Sequence, residues 1–349
     1  MSESSLRESL KTWQPPSHWQ RLTAIDAHTA GEPLRVIVSG WPEMPGDTIL
    51  DRRRHARMHL DPLRQTLLWE PRGHREMYGC ILTLPVNPGS DLGVLFMHNE
   101  GYSTMCGHGI IAIAKVALQT GLLPVHEPET RLYIDTPAGT VTVHAAVSQG
   151  RIGTIRFENV PSFVVDLDAV IEVPEWGDVT FDLAFGGAYY LYVDANQFNM
   201  RCTPDEYTDL VDIAMSIKEA FIVQKEIRHP GSNDLSFLYG VLFIAPPQQP
   251  HHHSRNVCVF ADGQVDRSPT GTGISGRLAI HHAREEIGID QAIVVESLIG
   301  TTFTGRIKTL TQFGGRAAVI PEIAGTAHIT GRHEFLIDPD DPLRHGFLI

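Results

Sequence analysis

The feature that most limits how this chain can fold is a pattern that occurs twice. In S103-T-M-C-G-H-G-I-I-A-I-A-K115, Cys106 is followed by glycines and a histidine, then by an almost wholly apolar run. Further on, Thr270-Gly271-Thr272-Gly273 parallels Cys106-Gly107-His108-Gly109 and again opens a helix-like run. About the same distance downstream of each turn, D135-T-P-A-G-T-V-T-V parallels E296-S-L-I-G-T-T-F-T. Two copies are too few for a solenoid, which needs about three or more. They predict two like-built α/β halves, each with a Gly-rich turn opening a central apolar helix, and a site between the halves.

Local patterns fit that plan. Residues 1–20 read as a polar extension, and the chain becomes regular from Arg21. Strands are expected at L34-R-V-I-V-S39, from Tyr78, and at L92-G-V-L-F-M, with helical spacing from Thr48 to Trp69. The helix after Cys106 should end near Gly121, with Pro124 beyond it. T140-V-T-V-H-A-A-V and I152-G-T-I-R-F form a predicted hairpin. In the second half, strands are expected at V179-T-F-D-L-A-F, Y189-Y-L-Y-V, F237-L-Y-G-V-L-F-I and N256-V-C-V-F. T203-P-D-E carries helix-start chemistry: a Thr N-cap, Pro at the first position, then acids.

The two turns carry the chemistry. A helix N-terminus has unpaired amides and a partial positive charge, and glycines let a ligand come close to those amides. One such turn can hold a carboxylate. Two facing turns can clamp it and leave its α-carbon between the residues that precede the helices, Cys106 and Thr270. The same dipole is expected to lower the Cys106 pKa and favour its thiolate, the form that acts as base or nucleophile. The plain alternative is a core cysteine at a tight turn. Asp266, in the stretch Asp266-Arg267-Ser268-Pro269 before the second turn, can hold a substrate ammonium or serve only as a turn former. His108 can contact a ligand or act as a helix-start donor.

A net charge of −13 argues against nucleic acid or an anionic membrane as partner. It leaves an anionic small substrate open, since backbone dipoles can bind one. The N-terminus M-S-E-S-S-L-R-E-S-L-K reads as no signal peptide, and no apolar run has membrane-spanning length. Four scattered cysteines without a CxxC suggest free thiols in a cytoplasmic protein. Cys80 and Cys258 read as core, and Cys202 is assigned nothing. G271-T-G-I-S-G276 with Glu296 matches a dinucleotide fingerprint. However, strand V257-C-V-F260 ends well before Gly271, whereas that motif needs glycine directly after the strand. H251-H-H253 lacks the ligand spacing of a metal site and reads as a solvated turn. Neither cofactor nor metal is expected.

Several longer stretches bear on identity: D26-A-H-T-A-G-E-P-L-R, E70-P-R-G-H-R-E-M-Y-G, M97-H-N-E-G-Y-S-T-M-C-G-H-G, N159-V-P-S-F-V, A184-F-G-G-A-Y-Y and D266-R-S-P-T-G-T-G. With these in order from about Arg21 to the C-terminus, the chain resembles the proline racemase family, which includes 4-hydroxyproline epimerases and trans-3-hydroxy-L-proline dehydratases. The resemblance implies an α+β, diaminopimelate-epimerase-like fold with a cofactor-free site between two pseudo-symmetric domains. The first domain is expected at 21–155, with 333–349 as a candidate return to it, and the second at 156–332. It also implies that Cys106 is the Cα base. The carboxylate would meet the amides of Gly107, His108, Gly271 and Thr272, with Asp266 and His108 near the ring nitrogen. Racemases and epimerases of the family place a second cysteine where Thr270 stands, so the resemblance is closest to the dehydratase branch. The expected reaction is dehydration of trans-3-hydroxy-L-proline to Δ1-pyrroline-2-carboxylate. The alternatives are a 4-hydroxyproline epimerase or proline racemase and, from another class, an NAD-dependent oxidoreductase. The partner expected is a small imino acid, and a homodimer is left open.

Overall fold

The computed structural model describes residues 3–349. Within the expected polar extension it places a surface helix, α1 (Glu3–Thr12). The first half then begins with the hairpin β1 (Gln20–Thr29) and β2 (Glu32–Ser39). The helical segment expected over 48–69 is interrupted: α2 (Ile49–His55), a π-helical turn over 56–60, then α3 (Asp61–Leu68). Thr48 and Asp51 close a capping box at its start. Pro62, in the first turn of α3, has no N–H to give to the turn before it, which accounts for the break. β3 (Gly79–Thr83) runs parallel to β2, β4 (Leu92–His98) antiparallel to β3, and β5 (Gly101–Ser103) follows. Next come α4 (Gly107–Gln119), β6 (Glu129–Thr136) parallel to β4, and the meander β7 (Gly139–Ser148) and β8 (Arg151–Glu158).

The second half repeats these pairings. β9 (Phe163–Val173) and β10 (Gly177–Phe185) form a hairpin, and β11 (Tyr189–Asp194) joins β10. Thr203 opens a single 3-10 turn that runs into α5 (Tyr207–Gln224). β12 (Leu238–Ala245) is parallel to β11, and β13 (Ser254–Phe260) is antiparallel to β12. The short β14 (Gln264–Val265), α6 (Gly271–Ala283) and β15 (Ile293–Glu296) follow, with β15 parallel to β13, as β6 is to β4. β16 (Thr302–Phe313) and β17 (Arg316–Gly325) complete it, and β17 also pairs with β8 of the first half. The last strand, β18 (Ala327–Ile337), returns to pair with β1 along its whole length.

The repeated Asp135 and Glu296 now have a structural reason. Each stands at or next to the end of the strand after a central helix, and each collects the amides of a Pro-containing loop. Asp135 accepts from the amides of Val86 and Asn87 at 2.8 and 2.9 Å. Glu296 accepts from those of Gln248 and Gln249 at 2.7 and 2.8 Å. Multiple N–H donors hold both carboxyls down at about 2, although burial alone would raise them. The helices α4 and α6 sit inside one continuous apolar core. Ile110, Ile111, Ile274 and Leu278 are fully buried, so each helix has a fixed axis and a fixed end. Those two ends meet.

Candidate active site

Gly107 opens α4 and Gly271 opens α6, and their backbones touch. A Cβ on Gly107 would lie 2.8 Å from the Gly271 Cα, and one on Gly271 would lie 3.1 Å from the Gly107 Cα. Only glycine permits this approach. The first-turn amides, of Gly107 and His108 in one helix and of Gly271 and Thr272 in the other, are left without intrahelical acceptors, and all four residues border one cavity. That cavity is lined by Cys106, His108, Asp266, Thr270 and Thr272, together with Met105, Tyr78, Tyr190, Tyr239, Cys258 and Phe260. It encloses only ≈20 Å³, about the room one water needs. A wider cavity of ≈640 Å³ surrounds Asp182, Arg277 and Arg284 and contains none of the residues expected to act.

Cys106 has an extended backbone (φ −148°, ψ 110°) and caps α4 with its own sulfur, which accepts the Gly109 N–H at 3.3 Å. His108 places Nδ1 3.2 Å from that sulfur. The expected drop in the Cys106 pKa is overturned here. Burial pushes the thiol well up, and the neighbouring carboxyls of Asp266 and Glu32 add to it. The Gly109 amide and the Tyr78 hydroxyl pull down without prevailing. A helix end supplies a partial charge, whereas full desolvation opposes a whole one. Burial also lowers the His108 pKa, so the imidazole is neutral.

Thr270 differs from its sequence counterpart. Its backbone is left-handed (φ 62°, ψ 87°), its side chain does not cap α6, and its buried Oγ1 has no hydrogen-bond partner. Thr272 Oγ1 is tied to Tyr190 Oη at 2.7 Å. Asp266 borders the cavity and also makes its turn, accepting the Ser268 N–H at 2.7 Å.

Cys258, read as core, lies in the buried apolar cluster and also lines the cavity beside Thr270, and burial raises its thiol pKa. The sequence also repeats Y78-G79 as Y239-G240. Gly79 is flanked by Arg35 and Met97, and Gly240 by Tyr190 and Phe260, in matching pairings. The other suspected motifs are otherwise engaged. Glu296 is spent on its loop, and His252 Nδ1 is 2.8 Å from it. His253 stacks edge-on against His281.

Matched halves closing a thiol over two paired helix ends define a class of enzyme that works on an acidic Cα–H beside a carboxylate. The chain belongs to the proline racemase family, whose profile, described as "Proline racemase", it matches over residues 24–348. It is similar to a trans-3-hydroxy-L-proline dehydratase of Colwellia psychrerythraea, at 42% identity over 97% of this chain and 96% of that one. It is equally similar, at 42% identity over 94% and 98%, to a 3-hydroxyproline 2-epimerase of Burkholderia multivorans. Among solved structures, a hydroxyproline epimerase from Agrobacterium vitis with bound trans-4-hydroxy-L-proline matches with a TM-score of 0.91 at 32% identity, covering 96% of each chain. Among the described residues, no helix is long and apolar enough to cross a membrane.

Proposed function

We propose that this enzyme dehydrates trans-3-hydroxy-L-proline to Δ1-pyrroline-2-carboxylate without a cofactor. The observation that carries the reading is the pair at the two helix mouths: a thiol, Cys106, on one side and a hydroxyl, Thr270, on the other. Inversion at Cα needs a base on one face and an acid on the other, with exchangeable roles. A threonine alcohol is too weak an acid to leave a useful alkoxide near neutrality. Elimination needs a single base.

In this reading the amides of Gly107, His108, Gly271 and Thr272 hold the carboxylate and take up charge that develops on Cα. Asp266 holds the ring ammonium. That cation offsets the carboxyl charge that adds to the effect of burial on the thiol. The Cys106 thiolate takes the α-proton, the 3-hydroxyl leaves, and the resulting enamine tautomerises to the imine. In the trans isomer the carboxylate and hydroxyl lie on opposite ring faces, so Hα and the hydroxyl share one. The hydroxyl therefore leaves on the Cys106 side. The four free, buried thiols suit a cytoplasmic setting.

The epimerase reading has one observation in its favour: Cys258, a second thiol, in the same cavity. Incubation of purified protein with the isomers of 3- and 4-hydroxyproline, with products identified by mass and chirality, separates the two. Loss of water from trans-3-hydroxy-L-proline alone supports the dehydratase. Inverted hydroxyproline without water loss rejects it.

A further inference from the structure

Beside Cys106, three hydroxyls form a chain. Tyr78 Oη hydrogen-bonds Ser103 Oγ, and Ser103 Oγ lies 2.9 Å from Tyr239 Oη. The two phenol oxygens are 3.5 Å apart, too long for a sound O–H···O bond. All three side chains are buried, and both tyrosines line the cavity, with Ser103 joining them. The halves contribute symmetrically: Tyr78 stands just before β3 and Tyr239 sits early in β12, each followed by the glycine that fills the same place in its sheet.

Counting hydrogens gives the chain a use. Each hydroxyl carries one hydrogen. The two bonds inside the chain consume two and leave one free; in either head-to-tail arrangement it sits at an end, on Tyr78 or Tyr239, and both ends border the cavity. When the chain runs Tyr239 to Ser103 to Tyr78, the spare hydrogen is the Tyr78 phenol proton. Tyr78 is the end beside Cys106, whose thiolate it favours. Its ring also meets that of His108 edge to face, with centroids 4.9 Å apart.

The departing hydroxyl needs a proton on that face. Burial lowers the His108 pKa, and its Nδ1 faces the Cys106 sulfur at 3.2 Å, so it is poorly set to supply that proton. Resting on the dehydratase reading above, we propose that Tyr78 is the acid that protonates the leaving 3-hydroxyl, with Ser103 and Tyr239 behind it as donors to the phenolate. Sulfur takes Hα, and the C2–H electron pair becomes the C2=C3 bond. The C3–O pair leaves with oxygen, which takes the Tyr78 proton and departs as water. The phenolate, held by the Ser103 hydroxyl, then takes the proton from the Cys106 thiol, and both groups are restored. Nothing is oxidised or reduced.

The test is Tyr78→Phe assayed with trans-3-hydroxy-L-proline in heavy water. The change removes one oxygen and keeps the ring. Dehydration should fall by about 10²–10⁴-fold, the usual loss for a general acid. Proton abstraction should survive, so unreacted substrate should gain deuterium at Cα faster than it turns over, which wild type should not show. Dehydration within threefold of wild type overturns the proposal. So does loss of both dehydration and exchange in a variant that still binds pyrrole-2-carboxylate, since Tyr78 would then serve the base. Should Tyr78→Phe not bind that anion, Ser103→Ala and Tyr239→Phe carry the test. Each should slow dehydration and leave exchange, and wild-type rates in both refute the chain. A wild-type protein that never dehydrates this substrate sinks the dehydratase reading itself, whatever the variants do.

Discussion

Gly107→Ala isolates the closure of the two helix ends. Gly107 opens α4 and its φ lies outside the left-handed region, so alanine meets no backbone strain. Within a helix alanine is favoured over glycine by about 1 kcal/mol. The only penalty is contact. The new methyl would sit 2.8 Å from the Gly271 Cα and 3.2 Å from its carbonyl carbon, where carbons ordinarily rest about 3.5–4.0 Å apart. Both obstacles are backbone on a buried helix and cannot swing away, so the turns must part by about 1 Å. Overpacking of this kind costs about 1–3 kcal/mol in stability, partly offset by the helix gain. Catalysis should suffer more, because the proposed carboxylate clamp draws on both turns, and a misplacement of about 1 Å can cost about 10²-fold. The assay is kcat/KM for dehydration alongside thermal unfolding, with Gly153→Ala as control, since a Cβ there meets nothing closer than 3.6 Å. Gly271→Ala should act in the same direction, and the double variant should lose less than the product of the two, because one methyl already parts the turns. A folded Gly107→Ala enzyme with kcat/KM near wild type would mean that the ends do not clamp substrate together.

Cys106→Ser should reduce turnover at least 10²-fold while leaving the melting temperature nearly unchanged, measured by product formation and calorimetry. Because burial raises the Cys106 pKa, kcat/KM should climb with pH beyond about 8.5, the ordinary thiol value, and a profile flat from neutrality upward would contradict that. Thr270→Cys should add proline inversion, followed by polarimetry, where wild type shows little. The carboxyls of Asp135 and Glu296 are depressed to about 2, so the stability they contribute is present above about pH 4 and is lost as pH falls toward 2. Glu296→Ala also strands Arg255, 3.1 Å away, and should lower stability by about 3–5 kcal/mol in denaturant titration.

The two halves were legible because a tight approach of two helix ends writes itself into sequence as glycine, and a buried helix as an unbroken apolar run. The loop-holding carboxylates were legible as a repeat, though their task was not. What stayed hidden depends on the third dimension. Cys258 lies in a strand as apolar as that of Cys80, and only the placement of β13 beside the second turn distinguishes them. Tyr78 and Tyr239 are far apart in sequence and meet only because each half carries the same strand to the same seam. The error over the Cys106 pKa has the same origin. The dipole is a local property and can be read from the motif, but desolvation is imposed by Tyr78, Phe260 and the opposing half. Pro62 was a visible signal, and it marks where helical spacing continues through a break in the hydrogen bonds.

The two residues at the helix mouths are counterparts in sequence but not in conformation, and this bears on the direction of the chemistry. Cys106 is extended, and its sulfur already holds the Gly109 amide. Thr270 is left-handed, a conformation that costs a β-branched residue about 1–3 kcal/mol and persists only where its surroundings enforce it. They do so here: its N–H reaches Ser268 Oγ at 3.2 Å, its carbonyl accepts the Ile274 N–H at 2.8 Å, and Asn256 holds the neighbouring Pro269 carbonyl at 3.1 Å. Oγ1 neither caps α6 nor finds a hydrogen-bond partner, which leaves it to shape or orient a ring. Inversion requires two groups that trade places with every turnover, which calls for matched settings. These settings are unequal in backbone, in hydrogen bonding and in acidity. A site with one sulfur tied to its helix and one idle alcohol opposite suits a reaction that runs one way from a single face, as the syn loss of water does.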